Sequence, residues 1–449
     1  MILCKTMATE QSLCSSPSPQ RIFTRLISMG ILLLFLMATQ GCGRSEARKA
    51  FDRGMEAVNR KDYRQAIDEF TEAIRLDPNN ARYYLNRGVN YGYKGDWDKA
   101  IADCSSAIRL DPKYAMAFNN RAAAHYHKGD YDEAILDCNK AIGLMTNYCE
   151  AFGNRGMAHD KKGEYREAIA DSSEAIRLCG NAQDYIVRAV AYLKINEYKK
   201  AINDCTEAIR FNPYDATIHN ERAIAFLCEG EYDKAIADSD KAILLNPNYG
   251  RAYVTRAEAF HNKGDYGRAI GDCNAAIRLD RNDPDAYSLR ANAYENKGDY
   301  DKAIADADEV VRLLPNDARY RVARGYSYQR KGDYGKAVAD YSDAVRIDPK
   351  FIEAYNNLAW LLAVCTDAKV RDGERAVEYA KRACELTAWK EWTCVDTLAA
   401  AYAEAGQFDE AVKLENKYPE FNLPKGRLDK ARERLTLYEQ KKPYHEEKP

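Results

Sequence analysis

Thirteen cysteines and six histidines are the side chains of this sequence with chemistry of their own to offer, as metal ligands, nucleophiles or disulfide partners. Zinc sites draw on cysteines two residues apart or histidines one helical turn apart. No Cys-x-x-Cys occurs and the histidines never fall four apart on a helix, so no metal is expected. A glycine loop to cradle phosphate, a nucleophile elbow and an isolated Cys/His pair are likewise missing. His125 and His127 read as surface-lining or half-buried residues rather than ligands. The expectation is a protein with no catalytic residues and no cofactor, hence not an enzyme.

Four of the cysteines, Cys104, Cys138, Cys205 and Cys273, recur on a common beat, and what sets that beat is the pattern that must position everything else. Residues 94–112 read KGDWDKAIADCSSAIRLDP, 297–315 read KGDYDKAIADADEVVRLLP and 331–349 read KGDYGKAVADYSDAVRIDP. The period is 34 residues. Nine copies begin at 47, 81, 115, 149, 182, 216, 250, 284 and 318, the fourth one residue short, and two looser copies follow. The cysteines all fall at position 24, where Ser172, Ser239 and Ala307 stand in for them, so they read as small core fillers. Equivalent helices of successive repeats lie about 10 Å apart, beyond the Cα separation of about 7 Å that a disulfide spans, so a ladder of these thiols cannot cross-link.

Small residues at position 8, aromatics at 11, alanines at 20 and 27 and proline at 32 make this chain resemble the tetratricopeptide repeat. In the second copy these are Gly88, Tyr91, Ala100, Ala107 and Pro112. The resemblance implies an all-α fold, a right-handed superhelical solenoid of about eleven helix-turn-helix repeats with a C-terminal capping helix. Position 20 is alanine in all nine regular copies, from Ala66 to Ala337, as two helices crossing at short distance require. Gly95, Gly129, Gly163, Gly230, Gly264, Gly298 and Gly332, with Asn196 in the fifth copy, suit the left-handed turn that ends the first helix. The acid that follows, such as Asp96 or Glu164, is placed to cap the second helix.

One regular departure marks this chain. Position 7, leucine in the general repeat, is arginine in every regular copy: Arg53, Arg87, Arg121, Arg155, Arg188, Arg222, Arg256, Arg290 and Arg324. Sixteen residues on stands an acid: Glu69, Asp103, Asp137, Asp171, Asp204, Asp238, Asp272, Asp306 and Asp340. In the two loose copies both turn apolar together, Leu358 with Tyr379 and Leu398 with Leu414. Joint switching is what contact produces, since an orphan charge at a half-buried site is costly. Structural ion pairs are expected; the other reading makes the arginine row a ladder for an acidic ligand.

The ends differ from the middle. Arg21 and Arg25 precede an apolar run, 31–38, too short to span a bilayer, and the whole of 1–41 reads as a signal peptide. The sequence Ala-Thr-Gln-Gly-Cys at 38–42 resembles the lipobox of bacterial lipoproteins, departing from it at Thr39 and Gln40. That resemblance implies lipidation of Cys42, a linker over 42–46 and attachment to a membrane of the bacterial cell envelope. An ordinary cleaved signal and a retained anchor are the other readings. Ten further cysteines in the exported part sit awkwardly with an oxidising compartment. Nine regular repeats are expected over 47–351, two atypical ones over 352–422, and a capping helix with its tail over 423–449. Leu428, Ala431, Leu435 and Tyr438 fall on one face of that helix, fit to cover an end of the stack. This C-terminal pattern resembles repeat proteins of planctomycete-type bacteria.

Lys plus Arg (67) nearly balance Asp plus Glu (69), with no basic stripe to track a phosphate backbone, so nucleic acid is not an expected partner. In the tetratricopeptide family the first helices form a wall that receives a peptide or a partner helix, through positions 2, 5, 9, 12 and 13. Carried onto this sequence, the wall includes Arg82, Tyr93, Asn119, Tyr126, His127, Glu150, Lys161, Lys194, Asn220, Arg251, Glu258, His261, Asn262, Glu295, Asn296, Arg319, Gln329 and Arg330. The set is mixed in sign and lacks the Lys and Asn arrangement that family members use to clamp C-terminal carboxylates. The expected function is a membrane-anchored scaffold or adaptor. The alternatives are a dedicated assembly factor for an envelope machine, such as a pilus, secretion or outer-membrane complex, and an enzyme accessory.

Overall fold

A computed structural model describes residues 45–421 and 423–446. The apolar run at 31–38 and Cys42 lie outside them. Helices and short turns make up the described residues, with no strand among them, and no described helix is long and apolar enough to cross a membrane. The chain divides into two compact units, one ending at Ile195 and one starting at Asn196. That boundary falls in the turn of the fifth repeat.

Each unit is a run of helix pairs. The first holds a helix over 45–59 with Tyr63–Leu76, Ala81–Tyr93 with Trp97–Leu110, Ala115–Lys128 with Tyr131–Leu144, Cys149–Lys162 with Tyr165–Leu178, and then Ala182–Lys194. The second opens on Tyr198–Phe211 and continues with pairs that begin at Ala216, Gly250, Pro284, Ala318, Ile352 and Trp392. The position-20 alanines are at most 3% exposed, so the close crossing they permit is real. Where the inter-helix turn lacks glycine, Lys61 and Asn196 take its left-handed conformation, at φ 60° and 62°. The acid after the turn is used in three ways, and at Glu197, Glu231 and Asp333 it pairs with the lysine three residues on. Asp62, Asp96, Asp265 and Asp299 accept from a backbone N–H of the second helix, whereas Asp130 and Glu164 turn back to His125 (3.3 Å) and His159 (2.5 Å). In those two repeats histidine holds position 11 and takes the acid for itself.

The last repeats are denser. Leu358, Leu361, Leu362, Val395 and Leu398 are buried together with Tyr341. The inserted stretch is pinned by Arg371, which donates to the Cys365 carbonyl and to Glu404. Gly373 opens the next helix so close to its neighbour that a Cβ there would lie 2.5 Å from the Ala405 nitrogen. The closing helix, Lys425–Glu439, buries Ala431 and Tyr438 with Leu428 and Leu435 half-covered. An arginine shares that buried face. Arg434 reaches Asp396 at 2.7 Å and lies 3.7 Å from Glu415, which is wholly enclosed. Burial, and then the neighbouring Asp396, push the Glu415 carboxyl up to about 9, and burial raises Asp396 as well.

The sign of the consequence is fixed. A carboxyl raised in the folded chain keeps a proton that the unfolded chain releases above its ordinary value of 4.5, so stability is fully present below that pH and is lost as pH rises towards about 9. Hydrogen exchange of Lys425–Glu439 should therefore quicken between pH 5 and pH 9, after correction for the intrinsic rate. Glu415→Gln, which is neutral throughout, should flatten that dependence; an unchanged slope in the variant would show that Glu415 is not its source.

Candidate functional site

What holds the first helices in line is the arginine row. Arg87 grips both oxygens of Asp103, Nε to Oδ2 and Nη2 to Oδ1, at 2.8 Å each. The same fork joins Arg121 to Asp137, Arg155 to Asp171, Arg222 to Asp238, Arg256 to Asp272, Arg290 to Asp306 and Arg324 to Asp340, all at 2.6–2.8 Å. Arg53 meets only one oxygen of Glu69. Arg188 lies in the first unit and Asp204 in the second. Each fork is mostly buried, and the hydrogen bond to its aspartate raises the guanidinium pKa above its ordinary value, as at Arg87, Arg121 and Arg290.

The remaining nitrogen makes a contact that the sequence analysis missed. Nη1 of Arg87 donates to Thr71 of the preceding repeat (3.1 Å), Arg121 to Ser105 (3.0 Å), Arg155 to Asn139 (2.5 Å) and Arg188 to Ser173 (3.0 Å). In the second unit Arg222 reaches Thr206, Arg256 Asp240, Arg290 Asn274 and Arg324 Asp308. All eight acceptors hold position 25, and all are short oxygen-bearing side chains, a regularity visible in the repeats once they are aligned on one another. Rings at position 4, such as Phe118, Phe152 and Tyr287, lie 5.4–5.7 Å from the same guanidiniums. With every donor face engaged, these arginines are not presented to an acidic ligand.

First helices of neighbouring repeats touch one another within each unit, while second helices make no comparable contact among the described residues. They form a continuous wall in each unit. On the first, Arg82, Tyr93, His127, Glu150, Lys161 and Lys194 are exposed and Tyr126 is half-buried. On the second, Arg251, Glu258, Asn262, Asn296, Arg319 and Arg330 are exposed, with His261, Glu295 and Gln329 half-buried. Two assignments need correction. Asn119 and Asn220 are only 7% and 0% exposed, so position 5 of those repeats does not face a ligand. Asn119 instead accepts from Asn154 of the next repeat at 2.9 Å.

Several wall residues are already tied across the repeat boundary. His127 stacks on Trp97 at 4.4 Å, Tyr93 on Tyr63 at 4.9 Å, and Arg330 donates to the Tyr300 hydroxyl at 3.0 Å, so position 13 rests on the ring at position 17 of the preceding repeat. Ser327 donates to Glu295 at 3.0 Å, and Asn296 lies 3.2 Å from His261. Glu258 is exposed by area yet sits where the adjoining helices displace water, and that desolvation raises its carboxyl, as it does for Glu295 and Asp160. Asp184, at the edge of the wall over Gly153, is lifted by burial to about 6. The wall offers stacked rings, amides, exposed bases, and acids whose carboxyls desolvation raises. It offers no group of three or more metal-binding side chains among the described residues.

The cysteines divide. Cys104, Cys138, Cys205 and Cys273 are buried, and burial pushes the Cys104, Cys138 and Cys273 thiols up to about 12. Cys149 and Cys179 form a disulfide, with Cα atoms 6.1 Å apart. It joins positions 1 and 31 of the short fourth repeat, not the position-24 row, and was not anticipated. The cue was a joint departure within one copy: Cys149 stands where most copies have alanine, and Cys179 where most have Asp or Asn.

Sequence models described as tetratricopeptide repeat match residues 85–144, 150–181, 185–215 and 288–350, and one described as TPR repeat matches 56–92 and 257–298, together more than half of the chain. The chain belongs to the tetratricopeptide repeat family. Among solved TPR structures, yeast Tom70 is similar at 17% identity over 88% of this chain and 95% of its own, with a TM-score of 0.44. A tetratricopeptide repeat protein of Parabacteroides merdae is similar at 19% identity over 56% and 99%, with a TM-score of 0.44. YrrB, described as a TPR protein with an unusual peptide-binding site, is similar at 19% identity over 41% and 95%, with a TM-score of 0.36. No curated protein matches the sequence.

Proposed function

We propose that this protein is a non-catalytic interaction scaffold of the bacterial cell envelope, tethered by a lipid on Cys42 and holding an extended peptide or partner helix against the wall of its first helices. The observation that carries the binding reading is the wall itself: exposed rings, amides, acids and bases recurring at matched repeat positions, over a frame that holds the position-7 arginines from Arg87 onward. Protein partners are the family's usual ligands, and mixed sign on the wall suits a segment carrying both charges.

Export finds support in the cysteines. A disulfide such as Cys149 to Cys179 persists in an oxidising compartment. Of the eight free cysteines among the described residues only Cys228 is exposed, and buried thiols of raised pKa are poor thiolate sources, so they survive there unpaired. The tether itself would hold through its acyl chains, each buried methylene adding about 0.8 kcal/mol.

A photo-crosslinking residue placed at Glu258 or Asn296 should capture protein partners in living cells, and the same residue at Leu244, which is 73% exposed on a second helix, should capture few. Equal capture at both sites would refute the wall as the binding surface. Separately, a clickable fatty-acid analogue should label the intact protein and not Cys42→Ser; absence of label from both would remove the lipid tether while leaving the scaffold reading in place.

A further inference from the structure

The chain that follows the closing helix turns back on itself. Lys441, in the left-handed conformation at φ 57°, reverses the backbone, and the Lys442 N–H donates to the Leu437 carbonyl at 2.9 Å. Residues 443–446 then run along the first helices of the tenth and eleventh repeats. Glu446 makes two hydrogen bonds to the helix Ile352–Val364. Its N–H donates to the Val364 carbonyl at 2.9 Å, and its carboxylate accepts from the Trp360 indole at 2.8 Å. The Tyr444 ring lies 6.3 Å from that of Trp360, and the Arg434 guanidinium sits within 6 Å of both. His445 Nε2 is 2.7 Å from Glu404.

Counted in the 34-residue frame, Trp360 is position 9 of its repeat, and Val364 and Glu404 are position 13 of theirs. These belong to the wall positions that other repeats leave open to a partner. Beside the tail, a cavity of about 780 Å³ remains between Tyr444 and Glu446 on one side and Tyr326, Gln329 and Arg330 of the ninth repeat on the other. Tyr326 is position 9 there and 43% exposed.

We infer that residues 442–446 are an intramolecular ligand, occupying the wall of the last repeats and disclosing what that wall takes. The preferred occupant is an extended segment with an aromatic ring two residues ahead of a carboxylate. The ring lodges against Trp360 and Arg434, the carboxylate accepts from the indole, and a backbone N–H meets the free carbonyl at the helix end. A partner segment of the same chemistry must displace the tail to bind, so the tail sets a threshold for capture, and flanking residues of the incoming segment have the adjoining cavity to enter. This rests on the wall being the binding surface of the protein.

The probe is a fluorescein-labelled hexapeptide, Lys-Lys-Pro-Tyr-His-Glu, copied from residues 441–446, titrated into the full chain and read by fluorescence anisotropy. The intact chain should bind it weakly. The double substitution Tyr444→Ala with Glu446→Gln, which frees the wall, should bind it at least tenfold more tightly. Adding Trp360→Phe should reverse that gain by about tenfold, and a peptide ending in Gln instead of Glu should bind the freed chain about tenfold more weakly. Since the peptide variant cannot affect folding, it keeps the test decisive if a chain variant melts early. Equal affinity of intact and freed chains, or no binding by a freed chain with an unaltered melting temperature, overturns the inference. A dimer of the intact chain that dissociates on the same substitutions also overturns it, by assigning the tail to a second copy. None of these outcomes bears on crosslinking at Glu258 or Asn296, so this idea can fall while the scaffold reading stands.

Discussion

A guanidinium engaged both within its own repeat and by the repeat before it, recurring from the second regular repeat to the ninth, is the constraint from which the rest of the structure follows. A half-buried arginine is tolerable only if its charge is matched and its donors are used. In this chain the fork to the aspartate of its own second helix meets the first requirement and completes the hairpin. The remaining donor can be satisfied only by the repeat before it, through Thr71, Ser105, Asn139 and their counterparts. A TPR hairpin ordinarily leans on its neighbour through apolar area, a force without direction. Here a directional contact is added at each interface between regular repeats, and it fixes the register of adjacent pairs more firmly than it adds stability.

That choice also shapes the wall. Because the position-7 arginines are spent on the frame, the groups left for a partner are the stacked rings, the amides and acids, and the separate bases at positions 2 and 13 such as Arg82, Arg251 and Lys161. Where the row ends, at Leu358 and Leu398, the interior turns apolar, and a different polar centre appears further out: Arg434 between Asp396 and Glu415. The closing helix carries that arginine, so the cap is keyed to the last repeat by charge as well as by oily surface. The same guanidinium touches Trp360 and Tyr444, linking the buried centre to the wall where the tail lies.

Much of the fold was legible because it repeats. Nine copies of one hairpin allow the chain to be aligned on itself, and the alanines at position 20, the turn glycines and the Arg to acid series all emerge from that comparison. What was missed was missed for physical reasons. The position-25 acceptors vary among Thr, Ser, Asn and Asp, since any short oxygen serves, and a search within one repeat cannot see a bond to the previous one. The disulfide is a single event on a background of nine copies. The burial of Asn119 and Asn220 depends on how the next repeat covers them, and the return of the tail carries no periodicity at all. Arg434, placed in the middle of an apolar stripe, is readable only when Asp396 and Glu415, distant in sequence, are brought beside it by the fold.

The claim that a shared arginine couples neighbouring repeats is tested most directly by a double-mutant cycle on Arg290 and Asn274, whose contact crosses one interface. Stability would be measured by urea unfolding of the wild type, Arg290→Gln, Asn274→Ala and the double variant. The arginine bridge predicts a coupling of about 1 kcal/mol. Losses that add to within about 0.3 kcal/mol would contradict it, leaving each repeat held to the next by packing alone.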